Sequence, residues 1–241
     1  MRSALVISAL ALGALVPASG LAPGSPAGGP TFGNPPEITN TFCPFPDQDL
    51  HVLKGMVGSE GTVEIAEFVA RTRAFTWGGQ EIETRAVFEW EFFFGFLLEA
   101  SVNYYAQADD GSVYYFGEVV TTTKGSSGDE LSWLVGGATL PSDPPDTLAA
   151  EDPALYMPAE PVLGSTWKPE DLAPKIEEQA TVVAVDQTVR TSFGDVAGCL
   201  KVLFSSGGDD QHLKFLAPGI GEVLEIYREE VSVLSGVIVL P

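Results

Sequence analysis

Positively charged residues are scarce in this chain. Its 241 residues include 12 Lys and Arg against 33 Asp and Glu, a formal net charge of −21 at pH 7. Nucleic acids and anionic membrane surfaces both recruit proteins through basic patches. The composition therefore excludes nucleic acid as a partner and disfavours anionic membranes. A well-solvated acidic surface is the favoured explanation, with adaptation to a saline habitat or weak binding of divalent cations as alternatives.

Residues that usually carry chemistry are also few. His51 and His212 are the two histidines, whereas a transition-metal site needs three or four closely spaced ligands. The Gly-x-Ser-x-Gly elbow of serine hydrolases does not occur. We predict no catalytic residue, no metal ligand and no cofactor from motifs.

Calcium is less firmly excluded, because it binds oxygen ligands. Four aspartates, Asp109, Asp110, Asp209 and Asp210, lie in predicted turns, and Asp47 and Asp49 lie near the N-terminus. None belongs to a twelve-residue calcium loop, so a role in forming turns is favoured over calcium binding.

Cysteine is limited to Cys43 and Cys199. In an exported protein an even pair indicates a disulfide, and we predict one between these two residues. Two separate buried thiols are the alternative.

No apolar run reaches the ~20 residues that a membrane-spanning helix needs. Arg2, an apolar stretch over 4–16 and small residues before Ala22 predict a signal peptide over 1–22, with an uncleaved anchor as the alternative.

The Gly/Pro-rich segment 23–37 is predicted to be a flexible linker, and 38–241 a single β domain. We expect a secreted, periplasmic or cell-envelope protein with no integral membrane segment after signal removal.

The chain is rich in the turn-forming residues that separate short β-strands, with 26 Gly and 18 Pro. Period-two alternation, the turn Gly78-Gly79 and an Asp-Gly hairpin within Tyr104–Glu118 predict antiparallel strands. A proline-rich stretch, 141–174, predicts an irregular excursion with short helical turns near 151–155 and 169–172. The fold class is all-β: one strongly curved antiparallel sheet or an open β-barrel, of which a lipocalin-like or LolA-like half-barrel is one form.

Aromatic residues are concentrated in the first half of the domain. We predict that some line a cavity of several hundred Å³ for an apolar ligand, with an ordinary core as the alternative. The predicted ligand-binding residues are Trp90, Phe92, Tyr104, Tyr114 and Phe116.

Glu89 and Glu91 share one face of a strand, roughly 6–7 Å apart by strand rise. Paired carboxylates at such a distance perform glycoside hydrolysis, although amphipathic strands commonly alternate in this way. A hydrolase predicts that at least two carboxylates converge in a cleft, one of them partly buried with a raised pKa.

Several short motifs, in this order, resemble a family of uncharacterised exported bacterial proteins. They are Asn40-Thr41-Phe42-Cys43-Pro44-Phe45, Tyr115-Phe116-Gly117-Glu118, Met157-Pro158-Ala159-Glu160-Pro161, Cys199-Leu200-Lys201-Val202 and Ala217-Pro218-Gly219-Ile220-Gly221. Cys43 stands where relatives are expected to have an aromatic residue. The resemblance implies an all-β secreted or envelope domain and assigns no catalytic residue. We therefore expect a non-enzymatic exported protein that binds an apolar small molecule or an envelope protein, with a carboxylate-dependent extracellular hydrolase or a purely structural surface protein as alternatives.

Overall fold

The protein is built from β-strands. The computed structural model describes residues 29–47, 49–57, 59–122, 131–172, 174–207 and 210–239. Within these ranges the chain forms strands and no helix, which confirms the predicted all-β class. None of the described segments is therefore a helix with the length and apolar character of a membrane span.

The strands in these ranges are β1 (Thr39–Asn40), β2 (Cys43–Pro44), β3 (Asp49–Val57), β4 (Glu60–Trp77), β5 (Gln80–Phe93), β6 (Phe96–Gln107), β7 (Val113–Thr122), β8 (Trp133–Val135), β9 (Leu148–Ala150), β10 (Ala154–Met157), β11 (Thr166–Leu172), β12 (Ile176–Thr191), β13 (Gly194–Gly207), β14 (Asp210–Ala217), β15 (Gly221–Tyr227) and β16 (Glu230–Val239).

One large sheet contains all of these strands except the β1–β2 pair. Its order is β11-β12-β13-β14-β15-β16-β3-β4-β5-β6-β7-β8-β9, and β10 pairs separately with β7. The sheet curls until its first strand reaches β10, where Trp167 Nε1 of β11 donates a hydrogen bond to the Tyr156 carbonyl oxygen at 2.8 Å. The result is a nearly closed barrel with a seam between β10 and β11, as the prediction of a strongly curved sheet required.

The predicted hairpins are formed. Gly78 and Gly79 connect β4 to β5 with φ angles of 57° and 77°, which a two-residue hairpin turn of this type requires at both positions. The Asp-Gly turn connects β6 to β7. These turns depend on local chemistry, so sequence alone was sufficient to place them.

The predicted helical turns near 151–155 and 169–172 are wrong. Residues Ala154 and Leu155 pair with β7, and β11 pairs with β12 across 166–172. Pro169 is accommodated because β11 is an edge strand and its register shifts between Trp167 and Glu170. Pairing with the large sheet therefore overrides the local proline signal.

The main buried cluster includes a close approach of β8 to β7. A Cβ atom at Gly117, whose φ is 120°, would lie 2.2 Å from the Trp133 carbonyl oxygen. Trp133 and Leu134 are almost completely buried there. Only glycine fits at this position, and β8 could not pair with β7 otherwise.

The predicted disulfide is wrong. Cys43 and Cys199 are both buried and both free. Cys43 belongs to the main hydrophobic cluster, whereas Cys199 belongs to a smaller one with Leu53, Val223 and Leu234. The alternative of two separate buried thiols is the correct one, because strands β2 and β13 bring the two residues into different clusters.

The predicted signal peptide, residues 1–22, lies outside the described residues. Within the predicted linker, Phe32 packs edge-on against Tyr114 and Phe116 with ring centroids 5.8 Å apart in each case. The boundaries between signal peptide, linker and domain stay predictions.

Candidate functional site

The concave side of the sheet encloses an acidic cleft of about 300 Å³. Its glutamates come from seven strands of the sheet: Glu64, Glu89, Glu91, Glu99, Glu118, Glu170, Glu178, Glu222 and Glu225. Lys214 is the single lysine or arginine that lines it among the described residues, accompanied by His212. Negative charge therefore predominates inside the sheet.

Strand alternation aims these side chains inward. Glu64 lies directly opposite Glu91, and Glu91 directly opposite Glu99, across β4, β5 and β6. On the other wall Lys214 of β14 lies directly opposite Glu225 of β15. Like charges in facing positions of neighbouring strands destabilise a sheet, so the β4–β6 wall is electrostatically costly for the folded protein.

Lys214 is the centre of the ionic contacts in the cleft. Its Nζ lies 3.0 Å from Glu222 Oε2 and 3.7 Å from Glu225 Oε1. The Nε2 atom of His212 lies 3.7 Å from Glu225 Oε1 and 3.9 Å from Glu178 Oε1. These five side chains thus form one connected group across β12, β14 and β15.

Burial and mutual repulsion raise the pKa values of the carboxyl groups. Burial, opposed in part by Lys214, raises the pKa of Glu222 to about 7. The pKa of Glu64 lies well above its ordinary range because of burial and the charge of Glu222. Burial likewise raises the pKa of Glu89 and of Glu178. Several of these groups therefore hold protons at higher pH than exposed glutamates do.

The two basic groups respond in opposite ways. Burial acts to lower the pKa of Lys214, but Glu222 and Glu225 outweigh it and raise that pKa well above its ordinary value. Burial, reinforced by Lys214, lowers the pKa of His212 to about 4. At neutral pH Lys214 is a cation and His212 is neutral.

Asn103 organises the opposite wall. Its Nδ2 donates hydrogen bonds to Glu89 Oε2 and to Ser101 Oγ, both at 2.9 Å, and its Oδ1 accepts one from the Tyr115 hydroxyl. Tyr115 in turn stacks on Tyr105, with ring centroids 4.6 Å apart. Glu89 is therefore held in place by neutral donors, whereas Glu222 is held by a cation.

Carboxylate oxygens of Glu64, Glu222 and Glu225 lie within 4.8 Å of one another, close enough to share a cation. Oxygen donors of this kind suit calcium or magnesium. The Lys214 ammonium already lies 3.0 Å from Glu222, so the chain supplies its own cation to this group. A metal ion would have to displace it.

Two of the aspartates that were predicted to form turns, Asp109 and Asp110, accept hydrogen bonds in and around the β6–β7 turn. Asp109 accepts hydrogen bonds from Thr31 Oγ1 and the Gly33 amide at 2.6 and 2.7 Å. Asp110 accepts one from the Ser112 amide at 2.8 Å. Asp209 lies outside the described residues. These contacts are those of turn and loop stabilisation.

A smaller enclosed cavity of about 80 Å³ adjoins the acidic cleft. It shares Glu64, Glu89, Lys214 and Glu222 with the cleft. Most of its other lining is apolar or aromatic: Phe42, Cys43, Phe45, Leu53, Phe68, Tyr105, Tyr156, Met157, Phe204 and Leu216. Its volume is below the several hundred Å³ expected for an apolar ligand, and below the ~150 Å³ of a cavity that holds benzene.

The five residues predicted to bind a ligand do not surround one cavity. Trp90 lies on the face of β5 opposite to Glu89 and Glu91, as strand alternation requires. Phe92 has the same orientation and lies at the rim.

The other three predicted residues pack on the outer side of the sheet. Tyr104 lies 5.5 Å from Phe75, which in turn lies 5.5 Å from Phe116, and Tyr114 lies 5.8 Å from Phe32 (all centroid distances). A ligand-binding role for these residues stays a prediction.

Sequence reasoning correctly placed Glu89 and Glu91 on one face, and both line the acidic cleft. It missed Glu64, Lys214 and Glu222. The signal was present in the alternation His212-Leu213-Lys214-Phe215, but polar positions of an alternating strand are ordinarily assigned to solvent.

No protein-family profile and no curated protein matches this chain. The chain is similar in structure to a Bacteroides fragilis protein whose crystal structure is described as that of an inferred exported protein with a YmcC-like fold. The sequence identity is 16% and the TM-score is 0.41, and the match covers 83% of this chain and 99% of that one.

Proposed function

We propose that the protein is a non-enzymatic binding protein whose acidic cleft binds a small organic cation. The ligand would carry an ammonium group and a short apolar part. The observation that supports this most directly is the charge imbalance of the cleft, where nine glutamates accompany a single lysine among the described residues.

The unbalanced carboxylates favour a cation for a physical reason. Lys214 is within 4 Å of Glu222 and Glu225, whereas Glu64 and Glu89 have pKa values raised mainly by burial. A bound ammonium would stabilise their charged forms and release the protons that they hold. Binding should therefore be coupled to proton release.

The aromatic lining adds to this recognition. Phe204 lies with its ring centroid 5.9 Å from Lys214 Nζ and stacks on His212 at 4.9 Å, so the site already places a cation over a ring. Ammonium groups are attracted to aromatic faces in this way. The adjoining cavity of about 80 Å³ accommodates only the end of an alkyl chain, so the rest of the chain lies in the cleft of about 300 Å³.

Isothermal titration calorimetry with hexylamine, hexanoate and hexanol tests the proposal. These probes share a chain length and differ in charge. We expect hexylamine to bind at least tenfold more tightly than the other two, with a heat that changes with the ionisation enthalpy of the buffer. Glu64→Gln should weaken that binding at least tenfold, whereas Glu229→Gln, in the exposed β15–β16 turn, should leave it unchanged. Equal binding of hexanoate would contradict the proposal.

A carboxylate-dependent hydrolase is the second candidate, favoured by one observation. Glu222, with a pKa of about 7, lies where its oxygens are within 4.8 Å of those of Glu64 and Glu225. A protonated acid beside a second carboxylate is the arrangement of glycoside hydrolysis. Release of nitrophenol from a panel of nitrophenyl glycosides, abolished in Glu222→Gln, would support it. Failure of both the hexylamine and glycoside experiments would favour the structural surface role.

Export is part of the proposed function and is supported by the N-terminal sequence. Expression with the native N-terminus should yield an extracytoplasmic protein that begins at Pro23 by N-terminal sequencing. A full-length chain retained in the cytoplasm would contradict it.

A further inference from the structure

The face of the sheet that points away from the acidic cleft is apolar. Because Glu64, Glu89 and Glu91 point into the cleft, strand alternation directs Ile65 and Trp90 outward. Sheets with one solvated face ordinarily place polar residues on it, so this sheet has the opposite polarity over the strands that build the cleft.

This outer apolar face spans five neighbouring strands, β15, β16, β3, β4 and β5, with Lys54 of β3 lying within it opposite Val63. Direct cross-strand pairs join Ile226 to Val231, Val231 to Met56, and Ile65 to Trp90. We define the outer apolar face by six residues: Met56, Val63, Ile65, Trp90, Ile226 and Val231.

The outer apolar face is not covered by the hydrophobic clusters of the described chain. None of its six residues belongs to either cluster or packs against one. Met56 is 50% exposed and Val231 is 47% exposed. Trp90 stacks on Phe88 of the same face, with ring centroids 6.0 Å apart.

The area is that of a stable interface. Five strands at ~4.8 Å spacing and three outward rows along each strand give about 500 Å². The outward residues Leu213 of β14 and Val102 of β6 extend the same surface to about 550 Å². Two such faces together bury about 1,100 Å², above the ~1,000 Å² that a specific protein–protein interface needs, and one such face is at the upper end of the apolar patches that monomers expose.

The charged side chains near the outer apolar face indicate which kind of molecule binds to it. The chain carries −21, yet two basic side chains and one acidic side chain lie on or beside the outer apolar face. Lys54 pairs with Val63, Arg71 lies 5.8 Å over the Phe88 ring, and Glu67 lies opposite Phe88. Two acidic molecules can therefore meet through this face while their carboxylate-rich clefts point away from each other.

We propose that the outer apolar face binds a second copy of this chain, forming a two-fold symmetric homodimer. An isologous contact places the same residues of both copies against each other, so Met56 and Val231 lie within the buried surface. The dimer leaves both acidic clefts open.

Sedimentation equilibrium of the purified chain over a range of concentrations tests this proposal. We expect a dimer for the wild type. Met56→Glu and Val231→Glu should each raise the dissociation constant at least 100-fold, because each places an unpaired charge in an apolar interface. Both residues are half-exposed in one copy, so the variants should keep the wild-type circular dichroism spectrum and urea midpoint.

The matched control is Val162→Glu, which adds the same charge at a residue that is 63% exposed and outside the outer apolar face. It should leave the dissociation constant unchanged. A monomeric wild type at every concentration would overturn the proposal. A monomer that floats with phosphatidylcholine vesicles would do so too, and would identify a lipid surface as the occupant.

Discussion

Replacing Glu222 with glutamine should stabilise the folded protein at alkaline pH. Glu222 is about four-fifths buried, and its pKa rises from 4.5 to about 7 on folding, even with Lys214 at 3.0 Å. Glutamine has the shape of the protonated acid and cannot ionise. The variant therefore keeps this side chain uncharged, which is the form that burial in the folded protein favours.

The magnitude and its pH dependence follow from the two pKa values. Below pH 4.5 both folded and unfolded chains hold the proton, so Glu222 has no effect. Between pH 4.5 and 7 the unfolded chain loses the proton first, so the free energy of unfolding decreases as the pH rises. Each unit corresponds to ~1.36 kcal/mol, which gives a loss of about 3 kcal/mol above pH 7. We expect Glu222→Gln to recover about 2 to 3 kcal/mol at pH 8, since Lys214 keeps Glu225 as a partner.

Urea denaturation of the wild type and of Glu222→Gln at pH 4, 6 and 8 measures this difference. The gain should be near zero at pH 4 and largest at pH 8. Glu229→Gln removes the same charge from an exposed turn and should change stability by less than ~0.5 kcal/mol at each pH. A loss of stability in Glu222→Gln at pH 8 would refute the reasoning, because it would mean that attraction to Lys214 exceeds the penalty of burial.

Three further predictions concern the scaffold. Gly117→Ala should lower the free energy of unfolding, measured in urea, by roughly 3 kcal/mol or more, because the added Cβ would lie 2.2 Å from the Trp133 carbonyl oxygen. The control is Gly136→Ala, whose Cβ would meet no atom within 4 Å and which should lower the free energy of unfolding by no more than about 1 to 2 kcal/mol. Asp143→Asn should cost about 3 kcal/mol at pH 7, because it breaks a buried pair in which Arg73 donates two hydrogen bonds of 2.8 and 2.9 Å. That cost should shrink below pH 3.8, since Arg73 and backbone donors outweigh burial and lower the pKa of Asp143. Iodoacetamide should label neither cysteine in the native protein and both in urea, with an intact mass that reductant does not change; a mass increase on reduction would contradict free thiols.

Local signals determined which parts of the fold could be predicted. Glycine pairs, an Asp-Gly turn and period-two alternation act over a few residues, so they identified β5, β6, β7 and their hairpins. Strand pairing across the barrel is not local. The sequence predicts helical turns near 151–155 and 169–172 because the prolines are a local signal, whereas the pairing partners in β7 and β12 are distant in the chain.

The residues that line the cleft could not be predicted from the sequence for a different reason. Alternation in Phe88-Glu89-Trp90-Glu91 separates two faces without stating which one is inside. The usual preference for an apolar interior assigned the aromatics to the inner face. The structure reverses that choice for β5, because the glutamates line a cleft rather than solvent. No sequence window contains Glu64, Lys214 and Glu222 together, so their convergence could be seen only in three dimensions.

Trp167 has a role at the seam that extends beyond packing. Its indole nitrogen joins β11 to β10, where strands elsewhere are held by ladders of amide–carbonyl bonds. A single side-chain hydrogen bond of this kind is independent of the hydrogen bonds of neighbouring residues, unlike the bonds within a backbone ladder. The seam of the described barrel is thus held by one side-chain hydrogen bond and by the burial of Trp167 in the main hydrophobic cluster, where other neighbouring strands share a backbone ladder.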